Sequence, residues 1–178
     1  MKKLFFISII AFWGISLFAQ EFQIPQNYNL VKAEDYAPYE QDVINGVKWL
    51  ADIPINQNVG KREEANAFLM KWMLGSPNLK IVVHPEIVTF SSNPEMLIAF
   101  LGGWTKYSLE TKDYSNQLKG NIAGIENAIF VYNKNKKIIG KDKNIEKYIK
   151  LQSKGKLENE IAKILAKNQD VPTTVIKP

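Results

Sequence analysis

The sequence predicts an all-α or mainly α protein, a compact bundle of about six helices with a short extended or β insertion near residues 79–90. Three observations carry that prediction. Apolar residues recur at three- and four-residue spacing in segment after segment between Glu40 and Leu165, the period of helices with one buried face. The stretch LKIVVHPEIVTF (79–90) interrupts the pattern with β-branched residues and with Pro85, which forbids a continuous helix. The block Met96 to Trp104 lacks any polar side chain, yet its nine residues fall far short of the ~20 that cross a bilayer. It reads as a core helix.

Taken in order, the chain begins with MKKLFFISIIAFWGISLFAQ. Lys2 and Lys3 precede an apolar stretch from Leu4 to Phe18, and Ala19 offers a small residue for cleavage. This is the three-part pattern of a secretory signal, assigned to residues 1–19. Its ending, LFAQ, resembles that of many bacterial exported proteins. The mature chain is then expected to start at Gln20 or Glu21, in the periplasm or outside the cell, with no membrane span left. Residues 20–39, with two prolines and no sustained period, form an irregular lead-in that drapes over the domain.

A single helical domain is expected over residues 40–168. Val43, Val47 and Leu50 share a face, with Ile44 beside them, and Pro54 stops the run. Ala65, Phe68, Leu69 and Trp72 fall at i, i+3, i+4 and i+7, behind an exposed charged start, Lys61 to Glu64. Gly75 and Pro77 close that helix. The two helix ends echo each other, KWLADIP (48–54) against KWMLGSP (71–77), as similar endings without a repeat array. Within 79–90, two short extended pieces flank Pro85 and suggest a small hairpin.

Ser92-Asn93-Pro94-Glu95 is a helix start, with Ser92 as cap, proline in the first turn and Glu95 reaching back. The apolar block follows, with Gly102 and Gly103 inside it. In the next helix, Leu118, Ile122, Ile125, Ile129 and Tyr132 make a large-residue stripe. Gly120, Gly124 and Ala128 make a small-residue stripe beside it. A glycine inside a helix costs about 1 kcal/mol relative to alanine. Gly102, Gly103, Gly120 and Gly124 therefore mark close packing of backbones or, alternatively, the floor of a ligand pocket. Ile145, Tyr148 and Ile149 mark a further helix, and Leu157, Ile161, Ile164 and Leu165 the last, divided by Ser153-Lys154-Gly155. Residues 169–178 are expected to form a flexible tail.

Charge divides the chain. Residues 21–105 hold 6 Lys or Arg against 10 Asp or Glu, whereas residues 106–178 hold 15 against 8. The densest stretch runs from Asn133 to Lys156, where nine lysines meet only Asp142 and Glu146. Lys134, Lys136, Lys137, Lys141 and Lys143 are the candidate partner surface, facing an acidic envelope protein or an anionic polymer. A solvated lysine face is the plainer alternative. Arg62 is the one arginine in the chain. With so little of the forked donor that reads bases and phosphates, specific nucleic-acid binding is not expected.

Reactive chemistry is scarce. The chain has no cysteine, so disulfides, thiol catalysis and cysteine-bound zinc are excluded. Its one histidine, His84, stands in the β-branched stretch without a paired nucleophile. No P-loop, dinucleotide fingerprint or nucleophile elbow occurs. The carboxylates Glu34, Asp35, Glu40 and Asp42 match no calcium loop. No cofactor and no metal are expected. The resulting expectation is a non-catalytic binding or accessory protein of the cell envelope. The rivals are a carrier of a small apolar ligand and a carboxylate-based hydrolase.

Overall fold

In a computed structural model, the described residues are 22–167 and 174–175. The predicted signal segment lies outside them. Six helices carry the fold: α1 (Glu40–Asp52), α2 (Val59–Gly75), α3 (Pro94–Thr111), α4 (Gln117–Ile139), α5 (Lys143–Ser153) and α6 (Leu157–Lys167). Two two-residue strands, β1 (Val82–Val83) and β2 (Thr174–Val175), complete it. No helix among the described residues is long and apolar enough to cross a membrane. The mainly α bundle with one short extended insertion is therefore the observed architecture.

α3 is the middle of the bundle. Its Met96, Phe100, Leu101 and Trp104 are buried, as the apolar block predicts, while Leu97 and Ile98 are only half-buried. Close packing against α4 depends on missing side chains. A Cβ on Gly124 would lie 2.6 Å from the Phe100 ring and 2.8 Å from its carbonyl oxygen. One on Gly103 would lie 2.5 Å from the Asn127 Cβ and 2.6 Å from the Ala123 carbonyl oxygen. The Trp104 indole lies directly on Gly120, and Gly102 meets Val47 of α1 across the other face. At this distance the Asn127 amide donates to the Ala99 carbonyl at 2.7 Å, tying the two helices together through a backbone group.

The lead-in contributes to the core. Phe22, Leu30 and Tyr36 are buried, Phe22 packs on Trp49, and Trp72 Nε1 donates to the Tyr36 carbonyl at 3.0 Å. The echoed helix ends are equivalent in detail. Ile53 N–H donates to the Trp49 carbonyl at 3.0 Å, and Ser76 N–H to the Trp72 carbonyl at 2.9 Å, each cap residue being extended.

Three local expectations need correction. Arg62 is buried, not part of an exposed charged start. Its guanidinium donates to the Leu50 and Ile53 carbonyls, both at 3.0 Å, and pairs with Glu95 at 2.6 Å. Carbonyls at the end of α1 have no intrahelical donors, so a buried cation there is stabilised. Glu95 consequently reaches to Arg62 and not back to Ser92; the cap of α3 is Asn93, which accepts from the Glu95 and Met96 amides. Finally, residues 79–90 form no hairpin of their own. After β1 the chain turns at His84, whose carbonyl accepts from the Ile87 and Val88 amides at 2.9 and 2.8 Å. β1 pairs instead with β2 in antiparallel register, Val82 opposite Val175. Apart from those two residues, the predicted tail lies outside the described residues.

Helix α5 pins the insertion. The Tyr148 hydroxyl donates to the Ile87 carbonyl at 2.7 Å, and the Asn144 amide to the Thr89 carbonyl at 2.9 Å. Burial pushes the Tyr148 phenol up to about 12.

Candidate functional site

Where α1, α3 and α4 meet, an open groove of ≈ 450 Å³ remains. Val47 and Ala51 of α1, Gly103 of α3 and Ala123 of α4 make its floor, and Tyr107 and Phe130 its aromatic walls. The cause is local. Small residues at the crossing let the three backbones converge, but nothing large is left there to fill the space outside them. Phe130 stays 45% exposed, on the side of α4 away from the buried Ile125 and Ile129.

The rim is charged and internally paired. Lys48 meets Glu110 at 3.1 Å, linking α1 to α3. Lys134 meets Asp52 at 2.7 Å and lies over the Phe130 ring, linking α4 to α1. Half-buried Lys106 has no ion-pair partner among the described residues. Tyr107 donates to Asp113 at 3.1 Å. Its phenol is held above the ordinary range, first by desolvation and then by that carboxylate. These groups give the groove apolar contact below and polar contact at its edge. Asp52 and Glu110 are each engaged by a lysine, and no group of three or more His, Cys, Asp or Glu among the described residues could hold a metal ion.

The candidate glycines separate by role. Gly103 lines the groove, while Gly102, Gly120 and Gly124 lie under Val47, Trp104 and Phe100. The candidate lysines also separate. Lys134 pairs with Asp52 at the groove rim, and exposed Lys136 and Lys141 both pair with Glu146, at 2.8 and 3.9 Å. Lys136 and Glu146 hold each other charged, the lysine shifted up and the carboxylate down by their hydrogen bond. Lys137 and Lys143 are exposed and have no ion-pair partner among the described residues. Sequence reasoning offered a pocket floor at the glycines, which holds for Gly103 alone, and missed the groove's α1 residues and aromatic walls. The groove's signal was present in α4, where Ala123, Asn127 and Phe130 follow helical spacing on a face distinct from the buried stripe.

His84 lies away from this groove, buried in the insertion. Burial holds its imidazole below the usual 6.5, with Glu86 opposing the shift. The unfolded chain therefore takes up a proton near pH 6.5 that the folded chain refuses until lower pH. Stability contributed by neutral His84 is complete above that pH and falls as pH drops through the window below it. Urea melts between about pH 7 and pH 5.5 should show this loss in the parent and a flatter profile in His84→Gln. Equal slopes in the two proteins would assign the pH dependence elsewhere.

Comparison with protein-family models, with curated proteins and with solved structures finds no match for this chain.

Proposed function

We propose that this is a non-catalytic binding protein of the cell envelope, exported by its N-terminal signal, with the α1–α3–α4 groove as its ligand site. The observation that carries the reading is the groove's composition: an apolar floor of small residues, an exposed Phe130 at its edge and a rim whose acids are mostly engaged by lysines. Concave sites with apolar floors and a few placed polar groups are the usual form of ligand sites. A buried-ligand carrier is less well supported. The void among Met70, Met73, Leu79, Ile81 and Leu101 is only ≈ 10 Å³, too small for a ligand.

Two measurements test the proposal. Mass spectrometry of envelope fractions should find a mature N-terminus at Gln20 or Glu21; recovery of the intact apolar segment from membranes would remove the export reading. Small aromatic and aliphatic fragments added to isotope-labelled protein should shift the amide resonances of Val47, Ala51, Gly103 and Ala123. Ala123→Trp, which fills the groove from a half-buried position of its floor, should abolish those shifts while retaining a cooperative melt. Fragment shifts that persist in this variant, or that scatter over the surface, would show that the groove is not a ligand site.

A further inference from the structure

We infer that the outer face of α5 is a docking ridge for a linear anionic polysaccharide, separate from the groove. Every carboxylate in the stretch 133–167 is already engaged. Asp142 caps α5 by accepting from the Asn144 and Ile145 amides. Glu146 is held by Lys136 and Lys141, Glu158 by Lys119 and Glu160 by Lys147. By contrast, exposed Lys137, Lys143, Lys150, Lys154, Lys156 and Lys163 have no ion-pair partner among the described residues. The surplus of positive charge is therefore not cancelled within the protein.

Helical geometry gathers part of that surplus into a line. Lys143, Lys147 and Lys150 follow each other at four and three residues, and Lys154, just past the end of α5, continues the series. At 3.6 residues per turn they fall within an arc of about 60°, over a length of about 16 Å. Ile145 and Tyr148, both buried, occupy the opposite side, so the ridge points to solvent. Only Lys147 is partly engaged, by half-buried Glu160 at 3.2 Å.

The form of the ridge selects the partner. A protein interface depends on aromatic or apolar anchors, and the ridge has none. The only arginine is buried under α1, so no guanidinium fork is offered to phosphates. A row of ammonium groups along one axis instead matches a chain bearing carboxylates at repeated intervals. Lysines holding such a chain by charge alone make a diffuse, exchangeable contact with strong salt dependence.

Calorimetric titration with short alginate oligomers, with neutral dextran as control, tests this. The parent should bind alginate and not dextran, and affinity should fall about tenfold between roughly 50 and 150 mM salt. Lys143→Gln/Lys150→Gln/Lys154→Gln removes charges that make no internal ion pair. It should weaken binding by about tenfold or more, flatten the salt dependence and leave the melting temperature unchanged. Lys32→Gln/Lys80→Gln, which alters exposed lysines elsewhere, should bind as the parent does. Failure of the parent to bind alginate, or equal weakening in both variants, would overturn the ridge. Tighter binding to phosphatidylglycerol vesicles or to single-stranded DNA than to alginate would overturn the choice of polysaccharide.

Discussion

Arg62→Ala is expected to destabilise the protein by about 3–5 kcal/mol, the usual loss when one partner of a buried ion pair is removed. The guanidinium is 5% exposed in side-chain terms and bridges three acceptors on two elements. Without it, the Leu50 and Ile53 carbonyls lose their donors, and Glu95 is left partly buried without its cation. Arg62→Lys should recover only part of the loss, because one compact ammonium cannot span the separated carbonyls as a planar fork does. For a domain of this size each kcal/mol corresponds to about 2–4 °C. Thermal and urea melts of the two variants decide the matter; an Arg62→Ala protein as stable as the parent would mean that the clamp contributes nothing.

Phe100→Ala should be comparably severe, at about 3–5 kcal/mol, through lost burial and the cavity left behind. Its ring is fully buried, 6.2 Å from Phe90 and 5.9 Å from Trp104 in edge-on contacts, and it seats against Gly124. Leu97→Ala, in the same apolar block, removes a half-buried side chain and should cost clearly less. From the other side of the seam, Gly124→Leu should destabilise by overpacking, by about 1–3 kcal/mol or more. Urea melts of the three variants should rank Leu97→Ala as mildest. Equal effects of Phe100→Ala and Leu97→Ala would mean that burial does not control this seam.

How far the sequence could be read depended on distance along the chain. The helices were legible because helical spacing is a local property: Ala65, Phe68, Leu69 and Trp72 announce their buried face without reference to anything else. The glycines of α3 and α4 announced a close approach for the same reason, since a glycine inside a helix is costly unless something needs the room. Arg62 was misread because charge runs are ordinarily solvated, and nothing near it in sequence shows the open carbonyls waiting at the end of α1. The pairing of β1 with Thr174–Val175 was hidden by sequence separation, as two-residue strands carry no pattern of their own. The groove was only partly legible because its shape is a property of three helices together. Gly103 hinted at its floor and the outward Phe130 at its wall, but a helix glycine reads equally as close packing, and one exposed aromatic is common enough to pass without notice.

The seam between α3 and α4 also bears on the order in which the chain assembles. Residues 112–116 alone connect these two long helices, so bringing their glycines into register requires the closure of only a short loop. Joining β1 to β2 requires the closure of a far longer loop, one that contains all of α3, α4, α5 and α6. The α3–α4 hairpin is therefore the natural nucleus of folding, and the strand pair the last closure to form and the first to open. A substitution at Gly124 should be felt chiefly as slower refolding, and one at Val82 chiefly as faster unfolding. The absent side chains of one helical hairpin would then set the pace at which everything around it is built.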